Sequence, residues 1–357
     1  MVPRPVAAGR VRSPAHIALL VLLLLLAAVA AGPASAAAPS GKPYVALGDS
    51  YSSGPGLEPT REPGCARSAV NYASVLAREL GLGAERRGRW ADYSCAGATA
   101  AGPGTSVPVQ VGWAAADRTI GPATRVVTFT AGGNDPWAGR DHDTLYDVLA
   151  ACVRAGTPCG PARRAGPLAQ LLPDALTDLL PSDLMRAVAS VLAGDDERSR
   201  WLSPDDLTPG RMTATLRPAV AAIRARAPRA TIAVVGYPRV VPPTGSSGCA
   251  GPVGLGWALD ADEVTYLDAL LAAYDRAQRA AAAALGRSSG PVRFVDVRTP
   301  SAGHDLCAGD AAWVSAPVLG GLGFLGESLH PKDAGMAEIA GLVERATSVE
   351  GLRPRRR

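Results

Sequence analysis

Four short stretches of this sequence carry side chains able to do chemistry. They are Gly48-Asp49-Ser50, Cys95-Ala96-Gly97-Ala98-Thr99, Gly132-Gly133-Asn134-Asp135 and Glu327-Ser328-Leu329-His330-Pro331. Together they hold the parts that acyl transfer requires. A serine hydroxyl becomes a competent nucleophile when a neighbouring base takes its proton. Histidine suits that base because it titrates near neutrality. Fixed donors must then meet the oxyanion of the tetrahedral intermediate. A glycine lets a backbone N–H approach closely, and an asparagine amide adds a side-chain donor. Taken singly, each stretch is ordinary. Gly-Asp-Ser is a common turn, Gly-Gly-Asn-Asp is a loop composition, and a histidine before proline marks many helix starts. Their order and their placement at element ends carry the argument.

The elements that must position these residues alternate between strand and helix patterns. Residues 43–47, 89–95, 125–130, 231–236 and 292–297 read as strands, the third being β-branched and apolar. Tyr72, Val75, Leu76 and Leu80 recur at helical spacing and stop near Gly81. Leu216, Val220 and Ile223 form a second stripe, closed by Pro228. Val264, Leu267, Leu271 and Tyr274 form a third, predicted to end at Gly286. A last helix, with Met336, Ile339, Ala340 and Val343 inward, is predicted to begin at Pro331. Five apolar strands separated by helices imply an α/β fold with a parallel sheet covered on both faces. Sites in such sheets lie beyond the carboxyl ends of the strands, where these stretches fall. Residues 138–210 break the alternation and read as a mostly helical insertion within one domain.

Composition bounds the setting. The chain has 357 residues, 47% of them hydrophobic, which suffices for a large core. Arg4, Arg10 and Arg12 precede an apolar run, Ile17–Ala31, and then Ala34-Ser35-Ala36. That is the order of a signal peptide over residues 1–36, and the run is short for a membrane-spanning helix. Its removal takes three arginines from the 36 basic residues and leaves 33 against 32 acids. Nothing in that balance points to nucleic acid. The domain is expected over 37–348, followed by a basic tail, 349–357. Cys65, Cys95, Cys152, Cys159, Cys249 and Cys307 form no Cys-x-x-Cys pair. An even count in an exported chain favours three disulfides over zinc and leaves their pairing open.

In their order along the chain, the four stretches resemble the blocks of the SGNH (GDSL-type) hydrolase family, across about residues 43–345. Ser50 matches the first block, Gly97 the second, Asn134 the third and His330 the last. The nearest likeness is to secreted actinobacterial lipases and esterases of that family. The resemblance implies a three-layer α/β/α, flavodoxin-like fold with a central five-stranded sheet. It implies Ser50 as nucleophile, His330 as base, and the Ser50 and Gly97 N–H groups with the Asn134 amide as oxyanion hole. It also implies disulfides in sequence order, Cys65–Cys95, Cys152–Cys159 and Cys249–Cys307. The implied substrate is a small-molecule or lipid ester, with no metal, no cofactor, no nucleic acid, no stable membrane insertion and a monomeric chain. Ser50 does not sit in a Gly-x-Ser-x-Gly elbow.

One departure concerns the group that orients the histidine. Many members carry an aspartate three residues before it, and this chain has Glu327 there. Either the Glu327 side chain or a backbone carbonyl of 327–329 would fix the tautomer. Of the other histidines, His16 leaves with the leader and His142 lies in the insertion. His304, beside Asp305, is the rival to His330. Asp49 and Asp135 read as loop hydrogen-bonders, and Trp137 as a pocket-mouth or core residue. Residues 254–257, Gly-Leu-Gly-Trp, are candidates for shaping an acyl groove. The alternatives to a lipase or esterase are a carbohydrate acetyl esterase, a phospholipase, a metal-dependent phosphatase and a non-catalytic envelope-binding protein.

Overall fold

A computed structural model describes residues 40–137, 144–153, 159, 201–251, 257–317, 319–320, 323–324, 328–347 and 349–353. Strands β1 (Tyr44–Gly48), β2 (Trp90–Asp92), β3 (Val126–Thr130), β4 (Thr231–Val235) and β5 (Val292–Val295) form one sheet. Its order is β2-β1-β3-β4-β5 and every pair is parallel. This is the doubly wound order of flavodoxin-like folds. The chain leaves β1 for one neighbour and returns on its other side, so a crevice opens beyond the ends of β1 and β3.

Alternation along the buried strands separates two cores. Val45, Leu47, Val127, Phe129, Ile232 and Val234 pack in one, with helices α3 (Val107–Ala116), α5 (Pro209–Arg226) and α6 (Ala261–Ser289). Tyr44, Ala46, Val126, Ala233, Val235 and Val295 pack in the other, with α2 (Tyr72–Glu79) and α7 (Asp333–Thr347). The result is a three-layer α/β/α arrangement. Helix starts carry their own signals. Asn71 accepts from the Ser74 N–H at 3.0 Å to cap α2. Asp260 and Glu263 form a reciprocal capping box at α6.

Three boundaries differ from the sequence expectation. Helix α6 runs through Gly286 to Ser289, and the turn falls at Gly290, φ +87°. Gly286 serves close packing instead, since a Cβ there would lie 3.0 Å from the Val292 carbonyl. Helix α7 starts at Asp333 because Pro331 is still extended and bridges antiparallel to Val314. The Lys332 N–H is held by the Trp313 carbonyl at 2.7 Å. Strand β2 stops at Asp92, whose carboxylate turns the chain by accepting from the Ser94 N–H and hydroxyl. Helix α3 has no counterpart in the sequence reading. Within the 138–210 stretch, the described residues include helix α4 (Leu145–Cys152) and a short 3-10 turn, Pro204–Asp206. The amphipathic residues 176–192, residues 1–39 and the last four residues lie outside the described set.

The disulfides are Cys65–Cys95, Cys152–Cys159 and Cys249–Cys307, in sequence order as the resemblance implies. Among the described residues no helix is long and apolar enough to cross a membrane.

The end of β1 is a tight junction of the sheet. Gly48 has φ +122°, and a Cβ would meet the Thr130 carbonyl at 2.5 Å and the Thr130 nitrogen at 2.6 Å. Both its peptide groups are taken by Gln110 of α3. Gln110 Oε1 accepts from the Gly48 N–H at 2.7 Å and Nε2 donates to its carbonyl at 2.9 Å. Gly48→Ala is therefore expected to lower unfolding free energy by at least about 2 kcal/mol, read as a lower urea midpoint at unchanged slope.

Candidate active site

Ser50 stands at the first position of a four-residue helix, α1 (Ser50–Ser53), directly beyond β1. Asp49 caps that helix by accepting the Tyr51 N–H at 3.0 Å. The same carboxylate accepts the hydroxyls of Thr130, the last residue of β3, and of Tyr237, just beyond β4. The turn that presents Ser50 is thus tied to the ends of two neighbouring strands. Ser50 itself is 7% exposed.

The Tyr237 hydroxyl also accepts the Gly133 N–H at 3.1 Å, which fixes the loop after β3. That loop is held further by Tyr274 and Gln278 of α6, both donating to the Ala131 carbonyl. Trp137 is buried, donates its indole N–H to the Gly132 carbonyl at 2.9 Å and packs edge-on against Tyr274. Trp137 is therefore a core residue. Asn134 turns toward the second block, its Nδ2 donating to the Ala98 carbonyl at 3.0 Å. Asp135 accepts the Ala100 N–H at 2.8 Å from the same segment. Gly97 has φ +77° with open space where a Cβ would lie, so backbone conformation accounts for a glycine there. The Cys65–Cys95 bridge and the Cys95 N–H, bonded to the Gly48 carbonyl at 2.9 Å, hold this turn beside β1.

His330 is reached through Tyr51. The Tyr51 hydroxyl donates to the Leu329 carbonyl at 2.7 Å, and its ring lies 5.3 Å from the imidazole. Leu329 is buried in the left-handed region, φ +64°, a conformation that a bulky side chain adopts only under constraint. Hydrogen bonds with Ser315 on both sides supply that constraint, from the Leu329 N–H and to the His330 carbonyl. Tyr146 of α4 stacks on the imidazole from another element, at 5.7 Å and 25°. Tyr51, the residue after Ser50, thus contacts His330, and Asn134 contacts Ala98, the residue after Gly97.

His304 is held elsewhere. It stacks on Trp313 at 4.8 Å and its Nδ1 pairs with the Ala311 carbonyl at 2.6 Å. Glu327, His142 and residues 254–256 lie outside the described residues. Trp257 is buried and closes a small ribbon at Cys249–Ala250 and Ala258–Leu259.

A pocket of about 360 Å³, part of it open to solvent, lies against Ser50 and Asn134. Asp49, Ser50, Tyr51, Gly133, Asn134 and Tyr146 line it, together with Tyr237 and the aliphatic side chains of Leu145, Leu149, Val240 and Leu271. Burial pushes the Asp49 carboxyl up, against the hydrogen bonds it receives. Burial, and then the Asp49 charge, push the Tyr237 phenol well above its usual range, so it remains a donor. With its oxygens committed to these donors, Asp49 is a scaffold group. Tyr51, Tyr146, Tyr237 and Gln110 were not singled out from sequence. Tyr237 could have been found, because it follows a predicted strand at the end where sites form.

The sequence matches the model of the GDSL-like lipase/acylhydrolase family over residues 46–338. It is 31% identical over 318 residues to Lipase 2 of Streptomyces coelicolor, covering 87% of this chain and 86% of that protein. Among solved structures, it resembles an extracellular lipase from Streptomyces rimosus with a TM-score of 0.52 and 26% identity, over 85% of this chain and 99% of that one. It has the same TM-score, 0.52, with phospholipase A1 from Streptomyces albidoflavus, at 22% identity over 87% of this chain and 100% of that one. That second likeness bears on the fold.

The carboxyl of Asp135 is pushed up to about 6, chiefly by burial and further by the Asp49 charge. The folded chain therefore holds this proton more tightly than the unfolded chain. The contribution favours folding at low pH, declines as pH rises from the unfolded value through about 6, and is flat above. Asp135→Asn keeps an acceptor for Ala100 and removes the titration. Relative to wild type, the variant is expected to gain stability between pH 4 and pH 7, on the order of 2–3 kcal/mol, read from urea melts at the two pH values.

Proposed function

Because the chain belongs to the GDSL-like lipase/acylhydrolase family and is a carboxylic ester hydrolase, we propose that Ser50 is its nucleophile and His330 its general base. The observation that carries this reading is that Tyr51, the residue after Ser50, meets His330 through the Leu329 carbonyl and a ring contact, while Ser50 and Asn134 line one pocket. Ser50 Oγ attacks the ester carbonyl as His330 takes its proton. The carbonyl oxygen becomes the oxyanion, met by the N–H groups of Ser50 and Gly97 and by the Asn134 amide. One amide hydrogen of Asn134 is committed to Ala98, and the second is the donor for the oxyanion. Collapse returns the proton from His330 to the departing alcohol. Water then repeats the sequence on the acyl-enzyme.

Aliphatic side chains beside Ser50 favour an acyl chain over a sugar as the group held in the pocket. Lipase or esterase action on acyl esters is thus the first reading. Phospholipid cleavage and carbohydrate deacetylation use the same groups. Secretion is supported by the leader-like residues 1–36, by three disulfides and by the likeness to the extracellular lipase of Streptomyces rimosus. The group orienting His330 is either the Glu327 carboxylate or a carbonyl of 327–329.

Ser50→Ala is expected to reduce chromogenic ester hydrolysis by at least about 1,000-fold with an unchanged melting temperature. Equal rates from the two proteins would remove the assignment. On a panel of graded acyl esters, an acetylated sugar and a phospholipid, the aliphatic acyl esters are expected to turn over fastest. Glu327→Ala separates the two orienting groups. A fall of about 100-fold or more assigns the carboxylate, and a near-normal rate assigns a carbonyl.

A further inference from the structure

We propose that Tyr146 is a positioning residue for His330, its ring face steadying the imidazolium that forms when the serine proton is taken. The inference rests on the reading of His330 as base and extends it to a residue of the inserted segment. The two rings are stacked, with centroids 5.7 Å apart and planes 25° from parallel. Tyr51 meets the same imidazole at 5.3 Å and 53°. Two aromatic rings from different elements therefore contact one imidazole that is itself 5% exposed.

Tyr146 is held for this task. Thr144 caps α4 by accepting the Asp147 N–H, and the Tyr146 N–H bonds the Gly133 carbonyl at 3.3 Å. The same loop carries Asn134, so the stacking ring and the oxyanion donor share one support. Tyr146 also lines the pocket with Ser50.

The π-face of a phenol attracts a cation within about 6 Å of its centroid and attracts a neutral ring far less. Stacking therefore favours the imidazolium over the imidazole. At pH values above the acidic limb that charge exists only while His330 holds the proton taken from Ser50, so there the gain falls on the transition state. The proton moves from Ser50 Oγ to the imidazole as the Oγ–C bond forms, and leaves with the alcohol as the C–O ester bond breaks. Tyr146 neither gains nor loses a proton, because burial pushes its phenol up.

Several ionisable groups lie near the ring among the described residues. The Tyr51 phenol is raised by burial and by Asp49 behind it. Tyr237 packs on Tyr51 at 4.6 Å, Asp147 adjoins Tyr146, and Lys332 and Asp333 follow His330 in sequence. Glu327, outside the described residues, precedes it. Of these, the Tyr51 phenol also feels Tyr146 directly.

The test is the pH profile of kcat/KM for a chromogenic ester, using the full chain. Tyr146→Leu is expected to move the acidic limb to lower pH by about half a unit and to lower kcat roughly three-fold. Tyr146→Phe, which keeps the ring, is expected to leave the limb at its wild-type position. Tyr146→Trp, with a stronger face, is expected to move it to higher pH. An unmoved limb in the Leu variant overturns the proposal, as does a Phe variant that shifts as far as Leu. If the Leu variant does not fold, an unmoved limb in the Trp variant has the same force. Imidazole NMR titrations in a Ser50→Ala background read the stacking without turnover. Failure there is distinguishable from failure of the Ser50 assignment, which shows as an active Ser50→Ala enzyme.

Discussion

A buried carboxylate holds this site together. Asp49 accepts from the Tyr51 N–H at the start of α1, from Thr130 at the end of β3 and from Tyr237 beyond β4. A carboxylate taken out of water is costly unless its lone pairs are filled. Filling them requires three separate segments to arrive in one geometry. Tyr237 passes the constraint on to Gly133, and Gly133 passes it to Tyr146 through its carbonyl. The serine turn, the asparagine loop and helix α4 are thus referenced to one charge. A residue that reads as a spectator beside the serine sets the coordinates of its surroundings.

Much of the sheet was legible in the sequence because its strands are buried on both faces. Val45, Leu47, Val127 and Phe129 form runs with little to be confused with, and the strand ends fell within a few residues. Helix α3 was not legible. Val107, Pro108, Val109 and Gly112 are poor helix formers, and the helix forms because Val107, Val111 and Ala114 bury against the sheet. With α3 unseen, Gln110 and its grip on Gly48 stayed unseen too. Gly286 and Pro331 misled for a related reason. Each is a local punctuation mark whose role here is set by a distant backbone, that of Val292 or Val314.

The candidate site was legible as a set of types in order, because acyl transfer admits few substitutes for serine, histidine and oxyanion donors. What the order could not convey is support. Tyr51, Tyr237 and Tyr274 are core residues and Tyr146 is half-buried, and each acquires a role from the partner its hydroxyl or ring finds. Aromatic side chains suit that duty, since they fill volume while offering one polar tip or one charged face. The pocket is consequently bounded by aromatic rings whose polar tips tie its loops and strand ends together.

No cysteine of the three bridges lies within the five sheet strands. Cys95 lies two residues before Gly97, Cys152 ends the helix that bears Tyr146 and Leu149, and Cys307 follows Leu306, whose N–H holds the Val240 carbonyl. Two of the crosslinks therefore constrain the surroundings of the pocket: one ends helix α4, and another adjoins the segment that pairs with Val240. Thiol redox chemistry is in this way a lever placed at the rim, away from the hydrogen-bonded ladder of the sheet.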